Sequence, residues 1–385
     1  LGYLTGVAEA DGFDIAGAAA RVTARGGPGI VRQAWQIARL GRHIGRFGPQ
    51  DYYGLALWHR GETGAGRDDL AAFVSTARLS AFNAGLRVWS LGPPDAGLDD
   101  KLGTEAILQG RGLPTSLTRA ALAAKNGAPL PRHVQPLKDA RALADWLCRP
   151  ENLPAFGKPR EASYCKGAMA IVAVAADTRM LELLDGRQVP ADPLAAEIAA
   201  DWPGGYLLQP FYRLHADLAR HCGTAMASVR ITTLLTRAGP KPWYAILYLP
   251  PKDSMHVGRS RVWGQVELAS GEVRQLRHVR DPMGPPIKHW LDREEPVVGL
   301  RLPHWPEAVA LAIAAHDRFP GHGIVGWDLF LTEAGPILGE GNRNPLPVYQ
   351  NVTLRGLLAP DMRPLYLAAL ERANDLRRGA RAERS

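Results

Sequence analysis

Two periodicities divide the chain. In its first half and at its C-terminus, apolar positions recur at helical spacing. The runs are residues 18–47, broken at Gly26-Gly27-Pro28-Gly29, then 69–82, 102–110, 139–148 and, later, 305–319 and 361–376. Asp99-Asp100 and Asp139 precede two of these runs as helix-starting residues, and Pro306-Glu307 opens another. Shorter runs with a period of two predict strands at 155–159, 168–175, 206–209, 229–236 and 243–249. A further pair over 258–275 turns at Ser270-Gly271, and Gly239-Pro240 marks the turn before Trp243. Residues 92–97, Gly-Pro-Pro-Asp-Ala-Gly, read as a linker. The last helical run is expected to fray into the charged residues 377–384.

The most informative stretch is 325–342, two β-rich runs around Glu333-Ala334-Gly335-Pro336, which predicts a hairpin. Folded about Ala334, it sets Asp328 opposite Glu340, with their Cβ atoms about 4.5–5.5 Å apart. Like charges in that register repel. Asn342, two residues beyond Glu340, shares its face. Two carboxylates and an amide oxygen suit a hard divalent cation, and magnesium takes one or two carboxylates plus substrate phosphates. The competing reading is a solvated hairpin whose acids never meet. Two cations could hold those phosphates. Lys158 ends a strand before Pro159 and a loop of small residues (Ala162, Ser163, Gly167) whose backbone N–H groups can approach phosphate oxygens. Arg230 points to the opposite face from Val229 and Ile231, where it either meets a phosphoryl group or snorkels at a sheet edge.

Composition narrows this little. A chain of 385 residues predicts two or three packed units, and 22% charged residues are ordinary for a folded protein. The net charge of +8 is carried mostly by arginine, which suits phosphate and carboxylate partners. No nucleic-acid-binding motif accompanies it. The basic stretch 18–47 has two readings, a surface for acidic lipid or a partner and a solvated helix face, of which the second is preferred. Cys148, Cys165 and Cys222 form neither a zinc pattern nor a disulfide framework, so a reducing, cytoplasmic setting is expected. No apolar run approaches the roughly 20 residues of a membrane span. Residues 1–6 lack the basic and apolar regions of a signal peptide, and residues upstream of Leu1 remain open.

In chain order, Asp100-Lys101, Lys158-Pro159 with its loop, Leu207-Leu208-Gln209, Val229-Arg230, Asp328 and Glu340-x-Asn342 resemble the landmarks of the ATP-grasp superfamily. The closer resemblance is to the sugar-transfer-associated ATP-grasp family. It is carried by Leu214–Leu218, Ser228–Leu234, Leu302-Pro303-His304-Trp305 and, most specifically, 324–328 with 335–342. The resemblance covers about residues 99–350. It implies an α+β fold in which two lobes enclose ATP after a largely helical N-terminal region. The implied division is 1–98 for that region, 99–207 for the small lobe, 208–360 for the large lobe and 361–385 for a C-terminal helix and tail. It further implies that Lys101 and Lys158 reach the nucleotide phosphates and that the loop holding Ser163 and Gly167 closes over them. Leu208 and Gln209 would lie along the adenine. Asp328, Glu340 and Asn342 would hold Mg2+, two ions bridged by Glu340, with Mn2+ an alternative. Arg230 would face the γ-phosphate, backed by Asn344. The implied activity is ADP-forming ligation of a carboxylate to an amine or thiol, both small or sugar-linked, in envelope or exopolysaccharide synthesis.

The chain departs from the family pattern at three places. Its phosphate loop carries Tyr164-Cys165-Lys166 in place of glycines, its hinge has Gln209 where many members have Glu, and 259–265 lacks an expected asparagine. A phosphotransferase on the same fold and a catalytically silent nucleotide-binding scaffold are the alternatives.

Overall fold

The computed structural model describes residues 3, 13–42, 45–60, 70–91, 98–124, 129–161, 166–223, 227–249, 262–290 and 293–382. In chain order, helices α1 (Ile15–Ala24), α2 (Ile30–Gly41), α3 (Pro49–Gly54), α4 (Leu57–Arg60) and α5 (Leu79–Ala84) build the N-terminal region. Then follow α6 (Lys101–Gln109), β1 (Ala120–Leu122), β2 (Gln135–Leu137), α7 (Ala140–Leu147), β3 (Ala155–Pro159), β4 (Met169–Ala175), β5 (Met180–Leu183), β6 (Gln188–Pro190), α8 (Ala191–Asp201) and β7 (Tyr206–Pro210). The second half is α9 (Ala216–Cys222), β8 (Ser228–Thr236), β9 (Gly239–Tyr248), β10 (Val262–Val266), β11 (Val273–His278), α10 (Trp305–His316), β12 (Ile324–Thr332), β13 (Gly335–Asn342), α11 (Val348–Thr353) and α12 (Arg363–Ala382). The class is α+β, as expected, with a helical N-terminal region ahead of two sheets.

The smaller unit is a seven-stranded sheet in the order β2-β1-β7-β3-β4-β5-β6. Leu143, Trp146 and Leu147 of α7 and Leu194 and Ile198 of α8 bury one of its faces. Leu102 of α6 packs with Ala121 and Leu207 on the other face. The six-stranded sheet runs β11-β10-β9-β8-β12-β13. Here the alternation does the sorting. Val229, Ile231, Ala245, Leu247, Trp327, Leu329 and Leu331 face α10 in the largest core cluster. Their neighbours Ser228, Arg230, Asp328 and Glu340 look the other way, into a cleft.

Two expectations are corrected by tertiary contacts. The single helix predicted over 69–82 is broken before α5, because Gln350 takes the backbone of Val74 (Val74 N to Oε1 2.8 Å; Nε2 to Val74 O 2.9 Å) and Ala72 O accepts from Leu358 N. Asp69 itself lies outside the described residues. The C-terminal helix does not fray at residue 377 but continues to Ala382. Arg377 caps the carbonyls of Gly85 (2.6 Å) and Arg87 (2.7 Å), and Asp375 pairs with Arg237 and Arg378. Strands β5 and β6 and helix α8 arise in a stretch that the sequence pattern left unassigned. The linker 92–97 and the beginning of the 258–275 pair lie outside the described residues.

Candidate active site between the two sheets

The hairpin pairs Asp328 with Glu340 and Gly326 with Asn342, but not by the predicted turn. Its loop is only Glu333-Ala334, between paired Thr332 and Gly335, a register that would set Asp328 opposite Gly339. A bulge beside Asp328 inserts Gly339 and slides the partner to Glu340. Glycine is required there, since a Cβ on Gly339 would lie 2.6 Å from the Phe330 ring, and one on Gly341 would lie 2.6 Å from both Leu98 and Trp327. Thus Glu340 sits between two glycines whose missing side chains let β13 press against the core.

In register, Arg230 is the neighbour of Asp328 on β12 and of Ile246 on β9, so a cross-strand row runs Ile246, Arg230, Asp328, Glu340. Arg230 donates to both Asp328 oxygens, Nε and Nη2 each at 2.6 Å, with the two side chains only 15% and 14% exposed. Its guanidinium also lies 5.1 Å from the ring centroid of Tyr248. Burial pushes the Asp328 carboxyl upward against the pull of Arg230, and Glu340 adds to the upward push. Asn342 Nδ2 stands 3.1 Å from Asp328 Oδ2 and 3.5 Å from Glu340 Oε1. The like-charge repulsion expected in the hairpin is therefore relieved here by arginine and amide.

The carboxylates of Asp328 and Glu340 are hard donors that suit a hard cation, and the Asn342 amide, whose Nδ2 faces both acids here, would join them through its oxygen once turned over. Among the described residues no group of three or more His, Cys, Asp or Glu offers a metal cage. An ion held by Asp328, Glu340 and Asn342 would complete its shell with other oxygens.

The cleft, of about 770 Å3, brings together Lys101, Lys158, Gln209, Arg230, Asp328, Glu340, Asn342 and Asn344. Lys158 reaches from β3 across to β13, its Nζ 3.5 Å from Gly339 O and 5.9 Å from the Phe156 ring centroid. Lys101 opens α6 behind its N-cap Asp100 and donates to Arg160 O at 3.2 Å. Asn344 Oδ1 accepts from Arg87 at 2.6 Å. Two expected residues have their side chain or Cα position away from the cleft, and a third is not among the described residues. The Leu208 side chain is fully buried in the small-sheet core, so only its backbone follows the strand. Gly167 is tied into the small lobe, its carbonyl accepting from Tyr206 Oη at 2.7 Å, and a Cβ there would collide with Trp202 at 2.5 Å. Ser163 lies outside the described residues, as do Ala162, Tyr164 and Cys165.

Gln209 is 3% exposed and its amide donates to Thr118 Oγ1 at 3.1 Å. Behind it Glu105, 4% exposed, accepts from Thr118 N (2.8 Å), Thr118 Oγ1 (2.7 Å) and Gln109 Nε2 (3.0 Å). Sequence reasoning missed Glu105, although it stands four residues after Lys101 and so on the same helix face. It also assigned no role to Arg160, which holds Asp100 with Nε at 2.9 Å and Nη2 at 2.7 Å. Burial works against ionisation of Asp100, yet the Arg160 pair keeps its carboxyl below the usual range. Tyr248 and Trp263, also in the lining, were legible only as strand residues.

Residues 200–360 match the family described as sugar-transfer associated ATP-grasp. No curated protein matches the chain. Among solved structures, it is similar to the D-alanine-D-alanine ligase from Coxiella burnetii at 12% identity and TM-score 0.41, over 74% of this chain and 61% of that one. The biotin carboxylase from Campylobacter jejuni, in a βγ-ATP complex, is similar at 11% identity and TM-score 0.41, over 71% and 46%. The L-amino acid ligase from Bacillus licheniformis follows at 10% and TM-score 0.38, over 72% and 48%. The chain thus spans less than two thirds of each of these proteins. Such likenesses are distant, and the family match stands apart from them. The segment that matches the sugar-transfer associated ATP-grasp family, 200–360, is the one that carries Arg230, Asp328, Glu340 and Asn342.

Proposed function

We propose that the chain is an ATP- and magnesium-dependent, ADP-forming ligase that joins a carboxylate to an amine or thiol. The observation that carries this reading is the row Arg230, Asp328, Glu340 with Asn342, faced across the cleft by Lys158. Acidic oxygens for a metal and cations for phosphate meet there in one cavity, of a size usual for small-molecule sites. Residues 99–207 and 208–360 act as the two lobes in this reading. Asp328, Glu340 and Asn342 would hold the metal, Mg2+ or alternatively Mn2+, which when bound neutralises charge on a transferring phosphoryl group. Lys101 and Lys158 draw the phosphates toward the small lobe. Gln209, fixed through its amide by Thr118, keeps its oxygen for the amino group of adenine. An acid substrate attacks the γ-phosphorus and ADP leaves. The amine or thiol then displaces phosphate from the acyl phosphate. Arg230 stabilises the phosphoryl oxygens at the moment of transfer, and closure of the cleft keeps water from the acyl phosphate.

The substrates are read as small or sugar-linked molecules of envelope or exopolysaccharide synthesis, handled in the cytoplasm. Among the described residues no helix is long and apolar enough to cross a membrane. Cys148 and Cys222 are free thiols. The test is thermal unfolding with and without Mg-ATP on wild type and Glu340→Ala. Ligand at about 100 times its dissociation constant adds roughly 2.7 kcal/mol. That gain is expected in wild type and absent in the variant, and a folded wild type that gains nothing overturns the nucleotide site. ADP release on adding acid and amine pairs then separates the ligase from a phosphotransferase or a silent scaffold.

A further inference from the structure

Helix α2 is anchored by one face, and among the described residues nothing covers the other. Its inner face is bound by specific contacts. Gln33 donates to Pro28 O at 2.7 Å and accepts from Tyr53 Oη at 2.8 Å, while Gln36 accepts from Tyr52 Oη. Ile37 and Leu40 pack against the cluster of Ala18, Phe47 and Tyr52. The orientation of the helix is therefore fixed. What it turns outward is apolar: Val31 is 85% exposed, Ile30 64% and Trp35 60%. Val31 and Trp35, four residues apart, stand side by side as a crown. Arg32, Arg39 and Arg42 flank them, all exposed, with Arg39 lying 5.6 Å from the Trp35 ring centroid. From residue 15 to residue 50 the chain holds six arginines and no aspartate or glutamate.

From this we infer that α2 docks the protein on a bilayer surface bearing anionic lipid. An apolar crown with a tryptophan, rimmed by arginines, suits the boundary between headgroups and acyl chains. The crown enters the apolar layer while the guanidinium groups meet lipid phosphates. A second copy of the chain is a poor occupant, because a twofold contact would set this all-basic face against itself. Nucleic acid would engage the arginines but leave the protruding Val31 and Trp35 in water. The sequence pattern favours a solvated face here; docking rests instead on the 60–85% exposure of large apolar side chains amid arginines. The docked element does not move freely, since Arg25 pairs with Asp281 beyond β11 and Asn351 donates to Gly54 O at 3.3 Å. The membrane would hold the whole larger sheet at a set orientation.

The test is co-sedimentation of the full chain with vesicles of phosphatidylcholine, alone or mixed with phosphatidylglycerol, at low and high salt. Binding is expected to the mixed vesicles only and to weaken as salt screens it. The double variant Val31→Ser/Trp35→Ser should bind about tenfold more weakly or worse, and each arginine changed to Gln should cost about fivefold. Unchanged thermal unfolding of the variants without vesicles establishes that they fold. The inference is overturned if wild type stays in the supernatant with mixed vesicles, or if the double variant binds as wild type does. It is equally overturned if Trp35-dependent self-association, or capture of the face by residues 4–12, accounts for its covering.

Discussion

Arg230 is held from two sides, by the Tyr248 ring and by both oxygens of Asp328. Taking one partner from such a buried pair typically costs about 3–5 kcal/mol, because the other charge is left uncompensated. The arginine thus keeps two facing carboxylates foldable before any ligand arrives. Its own charge is not in question, since the neighbouring Asp328 raises its pKa further against the effect of burial. A different buried group contributes to the response to acid, beside His322, whose pKa burial also pushes down to about 4. His316, fully buried, has Nε2 2.7 Å from His322 O, which makes that nitrogen the donor and leaves Nδ1 to accept from Thr233 Oγ1 at 2.6 Å. Burial pushes its pKa down to about 4. A depressed histidine stabilises the fold fully above its unfolded pKa, and that contribution is lost as pH falls from about 6.5 toward 4. The loss for His316 alone is on the order of 3 kcal/mol. Denaturant unfolding across this range should show stability falling with acid, and His316→Gln should flatten the slope. An unchanged slope in the variant would assign the acid sensitivity to other groups.

At the scale of elements, the hairpin β12–β13 was legible because its chemistry has period two and its turn is short. The bulge was not, because nothing in the local sequence separates a Gly339 that forms a bulge from one that simply ends a strand. Only the fit against the Phe330 ring requires it. The same reasoning predicts that Gly341→Val would force a side chain into Leu98 and Trp327, at about 1–3 kcal/mol by overpacking. It would also turn β13 so that Mg-ATP no longer stabilises the protein, which paired melts with and without ligand would detect. Helix α8 escaped the sequence reading because Pro190 stands at its N-cap with no side-chain hydrogen bond to announce it. Strands β5 and β6, four and three residues long, are too short to show an alternation. The site residues that were missed, Glu105 and Arg160, act through partners 13 and 60 residues away in the chain. No local pattern encodes such pairings.

For the whole molecule, the decisive arrangement is that the cleft has one wall from each sheet and that Lys158 already touches the far wall. Hydrogen exchange should therefore slow in β3 and β13 together when Mg-ATP is added, with Glu340→Ala abolishing both effects. Protection confined to one strand would mean that the lobes do not act on a common ligand. A second link between the walls needs no ligand. Residues 114–116 run beside β13: Ser116 N donates to Leu338 O at 2.8 Å, Leu338 N donates to Pro114 O at 3.0 Å, and Thr115 forms a parallel bridge with Leu338. That splice lies one residue from the bulge and two from Glu340, on the segment leading into β1. The splice therefore pins the smaller sheet to the very strand that presents the carboxylate. A rotation of one sheet against the other would steer Glu340 with it, so aperture and aim would form one mechanical coordinate.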